Sequence, residues 1–371
     1  MIKTNVLVIG AGPAGLSAAI KASEYGANVA LLERDFKPGG QLIKQTHRFF
    51  GSKNENAGTR GIDIAAELQK KIENSTNIDI YLESTAQGYY DDDTLLFSQK
   101  DKVKKIKADR IIAATGAAEK MLAFPNNDLP GVYGAGAVQT LMNLYGVLPG
   151  ERVIMIGAGN IGLIVSYQLL QAGVDVVGIV EAAPEIGGYL VHAAKIRRAS
   201  VPIYTRHTVK NVIGEESVEK VQLIKLDDKW NEISGTEKMI EADTVCLAVG
   251  LRPLADILIQ AGCEMAYIPQ LGGDVPLRNK FMQTSNEKFY VAGDVTGIEE
   301  ATAAILEGEM AGLAVAKDLG FGGKELEDEL KDVDKKLQDL RRGPVGEKIR
   351  SGLKMLEEGS HAQRNRYSNT I

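Results

Sequence analysis

The chain opens with an apolar run, residues 6–9, followed by a glycine-rich turn and a second apolar run that ends at Glu33. Short continuous apolar runs are typical of buried parallel strands. Gly10, Gly12 and Gly15 supply the spacing G-x-G-x-x-G at the point where the first strand should turn into a helix. The pattern therefore predicts a strand, a tight turn, a helix and a second strand.

The same pattern recurs near the middle of the chain. Residues 152–156 are apolar, Gly157, Gly159 and Gly162 repeat the glycine spacing, and the next apolar run ends at Glu181. One such motif is weak evidence, because a glycine-rich turn can serve only to pack a helix on a strand. Two complete copies, each ending in an acid, predict two dinucleotide sites.

Between the two copies, periodicity predicts a helix over residues 62–73 and an antiparallel meander of short strands. The strands of this meander are expected near residues 78–83, 88–91 and 95–98. The charged run 100–107 is expected to be a solvated hairpin end rather than a binding patch. Residues 110–114 predict another apolar strand, and the stretch 124–131, rich in Pro, Asn and Asp, has the composition of a linker.

The second half of the chain continues in the same style. A helix is predicted over residues 136–144, and a long helix over 299–319 carries small and apolar residues suited to close packing. Further strands are predicted near residues 201–204, 208–213, 218–225, 243–247 and 289–291. This alternation of strands and helices indicates an α/β architecture.

The C-terminal residues change in character. Residues 324–342 predict a highly charged helix, Gly343 and Pro344 break it, and residues 345–357 predict a second helix. The second helix carries apolar residues at spacings of three and four, namely Val345, Ile349, Leu353 and Leu356. Two amphipathic helices must bury their apolar faces, either on the same chain or against a partner subunit.

Composition narrows the class of protein. At 371 residues and 40.0 kDa the chain is predicted to contain two or three domains. A net charge of −6 and a pI near 5.5 argue against nucleic acid as the main partner. The first strand leaves no room for a leader ahead of it, and no apolar stretch reaches the length of a membrane span, so a cytoplasmic location is expected.

The two cysteines, Cys246 and Cys263, are too few for a disulfide framework or an iron–sulfur cluster. We expect them to be small buried residues, with a redox role as the alternative, and we predict no metal site.

The glycine spacing has a specific chemical meaning. Gly10 permits a tight turn, Gly12 allows backbone to approach a pyrophosphate, and Gly15 lets helix and strand pack closely. The phosphates then meet the N–H groups at the helix N-terminus. Glu33 ends the second strand, where a carboxylate can accept from ribose hydroxyls. Gly39 and Gly40 either let backbone approach a flat ligand or form an ordinary turn.

The order of motifs resembles the two-dinucleotide flavoproteins, of which thioredoxin reductase is the best-known small member. The motifs are G-A-G-P-A-G with Glu33, P-G-G-Q-L, A-T-G at 114–116, G-A-G-N-I-G with Glu181, A-V-G-L-R-P and Y-V-A-G-D. Residues 135–153 and the sequence E-A-A-P from 181 look more like the flavin subunits of multi-subunit amine and amino-acid dehydrogenases. These include the sarcosine oxidase alpha subunit, the hydrogen cyanide synthase B subunit, and proline and opine dehydrogenases.

The resemblance implies two Rossmann-like, three-layer ββα dinucleotide-binding domains. Residues 1–122 and 250–320 are expected to form one discontinuous FAD-binding domain, with an NAD(H)-binding domain, 123–249, inserted in it. Residues 321–371 are expected to be a helical C-terminal extension.

The resemblance also implies which residues hold each cofactor. The expected FAD-binding residues are Gly10, Gly12, Pro13, Ala14, Gly15, Glu33, Arg34, Gly40, Gln41, Thr46, Ala86, Thr115, Gly116, Gly293, Asp294, Thr302 and Ala303. Among them, Asp294 is expected to bind the ribityl chain, and the helix from Ala301 to point its N-terminus at the flavin. The expected NAD-binding residues are Gly157, Gly159, Asn160, Ile161, Gly162, Glu181 and Gly250.

Several positions depart from the best-known members. Paired cysteines next to flavin are missing, so disulfide reduction is not expected. Position 164 often carries a glutamate in those reductases and is Ile164 here, so the second site could instead hold ADP or ATP in a structural role. Glu181 favours NAD over NADP, because a carboxylate repels a 2′-phosphate. Arg197 and Arg198 are expected to be surface charges.

Three functions follow from these expectations. The first is an electron-transfer flavin subunit that works with a substrate-oxidising flavin subunit, an iron–sulfur protein or both. The second is a stand-alone NADH-dependent flavin enzyme that uses oxygen, a quinone or a ferredoxin. The third is a scaffold whose second nucleotide does no redox work. Electron exchange between nicotinamide and flavin needs no acid–base dyad, and His47 is a weak catalytic candidate beside a surface-loop role.

Overall fold

The computed structural model describes residues 1–49, 56–344 and 346–368, with side chains up to residue 359 in the last helix. The chain divides into two compact units. Unit 1 comprises Met1–Ala118 and Leu251–Ile371, and unit 2 is the intervening Glu119–Gly250. Their bounds lie within four residues of the domain boundaries expected from the sequence.

The described residues form helices and strands that alternate over most of the chain. The helices are α1 (Pro13–Glu24), α2 (Gly61–Glu73), α3 (Ala135–Tyr145), α4 (Asn160–Gln171), α5 (Leu190–Arg198), α6 (Asp256–Gln260), α7 (Ala301–Asp318), α8 (Lys324–Leu340) and α9 (Glu347–Ser368). The strands are β1 (Ile2–Ile9), β2 (Val29–Leu32), β3 (Ile78–Tyr81), β4 (Ser84–Tyr89), β5 (Leu95–Gln99), β6 (Lys102–Ala113), β7 (Ala117–Glu119), β8 (Val132–Gly134), β9 (Arg152–Ile156), β10 (Asp175–Glu181), β11 (Ile203–Thr205), β12 (His207–Ile213), β13 (Lys220–Lys225), β14 (Lys238–Glu241), β15 (Thr244–Leu247), β16 (Leu251–Pro253), β17 (Met265–Ile268), β18 (Gly273–Pro276) and β19 (Phe289–Val291).

Unit 1 is built on a sheet of order β3-β2-β1-β6-β5-β4, with β19 also pairing β6. Strands β3, β2, β1, β6 and β19 are parallel, whereas β4, β5 and β6 are antiparallel. Helices α1, α7 and α8 pack on one face, and α6 with side chains of the meander packs on the other. The sheet is therefore covered on both sides, as expected for parallel strands.

The structure corrects two expectations in this unit. Residues 78–81 form an edge of the parallel sheet beside β2 and do not belong to the meander. The charged run 100–107 is mostly strand β6 rather than a hairpin end. The first half of β6 pairs with β5 and its second half with β1, so exposed lysines and the fully buried Ile106 alternate along one continuous strand.

Unit 2 repeats the parallel plan. Its sheet has the order β11-β10-β9-β15-β8, and all of these pairings are parallel. Helices α3, α4 and α5 cover one face. The antiparallel sheet β12-β13-β14 covers the other through a core that includes Ile154, Val221 and Leu223. Helix α5 is an element that the sequence analysis did not predict.

The C-terminal helices pack on unit 1. Helix α8 places Leu326, Leu330, Val333 and Leu337 in the same core as α1 and α7. Helix α9 places Leu356, with Ile349 and Leu353, against residues 268–277. Val345, the first residue of the predicted stripe, lies outside the described residues. Of the two alternatives for these faces, burial on the same chain is the one observed for the described residues.

The fold class expected from the sequence is confirmed: two α/β units with parallel sheets, followed by a helical C-terminal part. Across the part of the chain that the structure describes, none of the helices has the length and apolarity needed to cross a membrane.

Candidate functional site

In unit 1 a tight turn joins β1 to α1, and its glycines are required by sterics. Gly10 has φ +100°, and a Cβ there would lie 2.4 Å from the carbonyl oxygen of Ala114. A Cβ on Gly15 would lie 1.8 Å from the carbonyl oxygen of Gly10. Gly12 caps α1 and Pro13 occupies its first turn, where a missing N–H costs nothing. The N-terminus of α1 is thereby left accessible to close approach by a ligand.

Glu33, which directly follows β2, is tied to this turn. Its Oε2 accepts from the backbone N–H of Ala11 at 2.8 Å, and its Oε1 accepts from the N–H of Asp35 at 2.9 Å. Burial raises the pKa of Glu33, and these two hydrogen bonds act in the opposite direction. A carboxylate has about four acceptor positions, so the side chain can still accept from hydroxyl groups of a ligand.

The loop after Glu33 closes over the start of α1. The N–H of Gly39 donates to the carbonyl of Ala11 at 2.7 Å. Gly40 has φ +53°, and a Cβ there would lie 2.7 Å from the Cα of Gly12. The two glycines thus form a close backbone cradle, which a side chain at either position would fill.

The remaining edge of the site comes from the ends of β6 and β19. Ala114 follows β6 and donates its N–H to Ile9, and Thr115 Oγ1 donates to the carbonyl of Leu254 at 2.6 Å. Gly293, with φ +77°, follows β19, and a Cβ there would lie 2.9 Å from the Cβ of Ala14. Gly116 also has a positive φ and lies next to Thr115. The carboxyl ends of neighbouring parallel strands therefore gather most of the expected residues at one place.

Asp294 lies half-buried just beyond Gly293. Burial, with a smaller effect from the carboxylates of Glu307 and Glu299, raises its pKa to about 7, while the backbone N–H of Glu299 opposes this rise. Helix α7 begins shortly afterwards, and its first-turn residues Thr302 and Ala303 are buried.

Other expected residues have looser positions. Gln41 is exposed on the 3-10 helix Gly40–Lys44, and Thr46 and His47 are half-buried in the segment that follows. His47 stacks on Phe49 with ring centroids 6.3 Å apart. The expected contacts of these residues with a flavin remain predictions.

Arg34 and Ala86 are placed by neighbouring elements. Arg34 is exposed beside Asp35. Ala86 lies on β4, whose first residue, Ser84, donates its N–H to the carbonyl of Glu33 at 2.8 Å. The meander therefore begins against the acid of the first motif.

Unit 2 contains a second turn of the same construction. Gly157 has φ +109°, and a Cβ there would lie 2.3 Å from the carbonyl oxygen of Ala248, while a Cβ on Gly162 would lie 2.0 Å from that of Gly157. Glu181 Oε2 accepts from the N–H of Ala158 at 2.8 Å, and Oε1 accepts from a second backbone N–H at 2.9 Å. The acid and glycines of the two turns thus have matching contacts.

The structure adds a loop that the sequence analysis missed. Gly188 donates its N–H to the carbonyl of Ala158 at 2.9 Å, and a Cβ on Gly188 would lie 2.8 Å from the backbone of Gly159. The next residue, Tyr189, donates its N–H to Asn160 Oδ1 at 2.8 Å. The sequence carries a signal for this loop, because two adjacent glycines follow each acid at the same spacing, at 39–40 and at 187–188.

Other positions in unit 2 are less enclosed. Ile161 is 43% exposed in the first turn of α4, and Arg197 and Arg198 are exposed at the end of α5, as expected of surface charges. Gly250 has φ +115° and accepts from the N–H of Lys120.

This doubled arrangement matches a known family. The family described as pyridine nucleotide-disulphide oxidoreductase matches residues 4–308, most of the chain. The chain belongs to this family. The expected resemblance is therefore confirmed, and membership implies an oxidoreductase that binds FAD and a pyridine nucleotide.

One relative of this pyridine nucleotide-disulphide oxidoreductase is the opine oxidase A-chain protein of Agrobacterium tumefaciens, which is named as a subunit, at 28% identity over 344 residues. The alignment covers 85% of this chain and 66% of that relative. The chain thus spans less than two thirds of the relative's own length.

Solved structures give the same fold. L-proline dehydrogenase from P. horikoshii superposes with a TM-score of 0.68 at 27% identity, covering 89% of this chain and 59% of that chain. Thioredoxin reductase from T. acidophilum superposes with a TM-score of 0.71 at 23% identity, covering 86% of this chain and 99% of that chain. The second likeness shows the fold alone.

The residues present suit an FAD molecule in unit 1. The Gly12–Gly40 cradle leaves backbone rather than side chains at the helix N-terminus, which is the environment that a pyrophosphate requires. Glu33 offers acceptors for ribose, and Asp294 offers a carboxyl group for hydroxyl donors. Within residues 1–49, 56–344 and 346–368, no group of three or more His, Cys, Asp or Glu residues is arranged to hold a metal ion.

Both cysteines are buried and unbridged. Cys246 lies in β15 in unit 2, and Cys263 lies in unit 1, where its Sγ is 3.4 Å from Thr284 Oγ1. Burial raises the pKa of both thiols. The expectation that they are small buried residues is confirmed.

Proposed function

We propose that this chain is the electron-transfer flavin subunit of a multi-subunit amine or amino-acid dehydrogenase, with FAD in unit 1 and NAD(H) in unit 2. The observation that carries the proposal is the pair of matching turns, each with its acid held by two backbone N–H groups. FAD supplies the two-electron chemistry when bound. The protein's part is to bind both nucleotides and orient them.

In this proposal Gly12 and Gly40 hold the FAD pyrophosphate, Glu33 its ribose and Asp294 its ribityl chain. Glu181 binds the ribose of the second nucleotide and selects NAD(H), because its negative charge disfavours a 2′-phosphate. The discontinuous FAD domain is unit 1, and the NAD(H) domain is unit 2.

The proposal excludes disulfide reduction. Thiol–disulfide exchange needs an accessible thiolate and a nearby second sulfur. Cys246 is fully buried, Cys263 is 6% exposed, and burial disfavours the thiolate of each. The likeness to thioredoxin reductase therefore extends to the fold and not to that chemistry.

Two observations support a partner. The opine oxidase relative is by its name one subunit of an enzyme, and this chain matches only part of its length. We infer that a second polypeptide, either a substrate-oxidising flavin subunit or an iron–sulfur protein, oxidises the amine or passes on the electrons.

The partner is tested by purifying the tagged chain from its native host and identifying the polypeptides that accompany it. The isolated chain should not turn over amines or amino acids, whereas the recovered complex should. Turnover of an amine by the isolated chain would contradict its proposed role within a complex.

A second candidate is a structural ADP or ATP in unit 2. It is favoured by Ile164, which replaces the expected glutamate, and by Gly188, which closes over Gly159. Mass spectrometry of the nucleotides released from native protein decides between the candidates, because NAD(H) supports the first and ADP or ATP the second.

A further inference from the structure

The search outside the nucleotide turns points to a buried ionic cluster in unit 1, formed by Arg278, Glu299, Glu307 and Arg341. Arg341 Nη2 lies 2.6 Å from Glu299 and 2.7 Å from Glu307, and Arg278 Nη2 lies 3.1 Å from Glu307. The side chains of the four residues are 3–12% exposed. Although burial alone would raise the pKa of Glu307, the two guanidinium groups hold it below its usual range.

Glu307 connects this cluster to the loop that carries Asp294. Its Oε2 accepts from the backbone N–H of Gly293 at 3.0 Å and from Thr296 Oγ1 at 2.9 Å. Asp294 lies between these two donors in the sequence. The fourth member, Arg341, directly follows α8, so the C-terminal extension supplies a charge that the loop and the start of α7 depend on.

Helix α9 supports the same loop through apolar contacts. Leu353 and Leu356 pack in a cluster with Leu271. The carbonyl of Leu271 accepts from the N–H of Ile298 at 3.0 Å, and a Cβ on Gly297 would lie 3.1 Å from the Leu271 side chain. Residues 293–300 are therefore held by charge from α8 and by packing from α9.

We propose that α8 and α9 form a clamp that positions residues 293–300 and the N-terminus of α7 toward the flavin, with Arg341 as the key positioning residue. The inference rests on the proposed FAD site. Without Arg341, Glu299 and Glu307 would keep their negative charges beside Asp294 with one guanidinium fewer, in a buried region where an unpaired charge is costly. Such charge disfavours reduced FAD, which carries more negative charge than oxidised FAD.

The test compares Arg341→Gln with Arg342→Gln in the full-length chain. Arg342 is the neighbouring residue and is 75% exposed, paired only with Asp339, so its replacement is a matched control. We expect Arg341→Gln to weaken FAD binding at least tenfold and to lower the flavin midpoint potential. A tenfold preferential loss of affinity for reduced FAD lowers a two-electron potential by about 30 mV. Arg342→Gln should leave both quantities unchanged.

Arg341→Lys should recover part of both effects, because a lysine restores the charge but lacks the planar fork that bridges two carboxylates. If Arg341→Gln does not fold, Glu299→Gln combined with it restores charge balance. The double variant should then recover the potential but not the full FAD affinity, since Glu307 still lacks a partner.

A lower unfolding midpoint with unchanged FAD affinity and potential would show that Arg341 only stabilises the fold, and would overturn the inference. A wild-type chain that takes up no FAD would contradict the proposed function itself, and the inference with it. The two failures are thus distinguished by the wild-type measurement.

Discussion

At the scale of single residues, Glu33 and Glu181 are the most informative side chains. Each accepts one hydrogen bond from the backbone between the first two glycines of its turn and another from the residue two positions past the acid. The two carboxylates are therefore fixed in equivalent orientations before any ligand arrives. Preorganisation of this kind lets a ribose bind without further ordering of the side chain.

The two acids should therefore respond as reciprocal controls. Glu33→Gln should weaken FAD binding about tenfold to hundredfold, because it removes the charge from a hydrogen bond worth about 1.5–3 kcal/mol. It should leave NADH binding unchanged. Glu181→Gln should do the reverse. Titration of the apoprotein with FAD and of the holoprotein with NADH measures both, and equal effects of either variant on both ligands would refute the assignment.

Asp294 should make the apoprotein less stable as the pH rises. Its pKa is raised to about 7 in the folded chain, so its contribution to stability is fully present below its unfolded pKa near 4 and is lost as the pH rises through 7. Asp294→Asn removes this titration. The free energy of unfolding of the variant, relative to wild type, should therefore increase between pH 4 and pH 7, on the order of 2 kcal/mol.

Urea unfolding of both apoproteins at several pH values measures that difference. Differences that stay constant across this pH range would show that Asp294 titrates as an ordinary surface carboxylate.

At the scale of elements, the contact between α1 and α7 fixes the FAD site. A Cβ on Gly308 would lie 2.1 Å from the carbonyl oxygen of Ala14, so the two helices approach through their backbones. Gly312 makes the same kind of approach to Ala18. Because α1 begins at the glycine turn and α7 begins next to Asp294, this contact sets the separation of the two sides of the site.

The same substitution should have opposite effects on two helices. Gly308→Ala should destabilise unit 1 by about 1–3 kcal/mol, because overpacking outweighs the gain in helix propensity. Gly359→Ala should be neutral or stabilise by up to about 1 kcal/mol, since the nearest atom to its Cβ is 3.9 Å away.

Urea midpoints from circular dichroism measure both variants. The single tryptophan, Trp230, lies in unit 2 and reports separately on that unit. Equal midpoints for the two variants would contradict the close helix contact.

The sequence indicated elements well where one period ran unbroken. Strand β1, helix α1 and helix α7 were predicted because apolar runs and small residues continue along them. Strand β6 was divided into two parts because its lysines alternate with buried residues and resemble a polar turn. Helix α5 was missed because it is short, with exposed Leu190 and Val191 at its start, so its apolar period is weak.

At the scale of the whole molecule, each compact unit has its own hydrophobic core and its own glycine turn. We therefore expect the two nucleotides to act on different parts of the chain. Addition of NAD⁺ to the holoprotein should slow amide hydrogen exchange in residues 157–162 and 187–190 and leave residues 10–33 unchanged. Mass spectrometry of peptides measures this, and protection confined to residues 10–33 would place NAD⁺ in the wrong unit.

The glycine motifs and their acids could be predicted because each lies within a short stretch of sequence. The ionic cluster could not, because its arginines come from residues 278 and 341, and only the fold brings them to Glu299 and Glu307. The packing of α8 and α9 was left open for the same reason: an amphipathic face indicates that something covers it but not what does.

The central claim is that electrons pass between NADH bound to unit 2 and FAD bound to unit 1. Anaerobic titration of the purified holoprotein with NADH, followed at the flavin absorbance band, tests it most directly. We expect NADH to bleach the band stoichiometrically and with preference over NADPH, while amines and amino acids leave it unchanged. A chain that holds FAD but is not bleached by NADH would contradict the account.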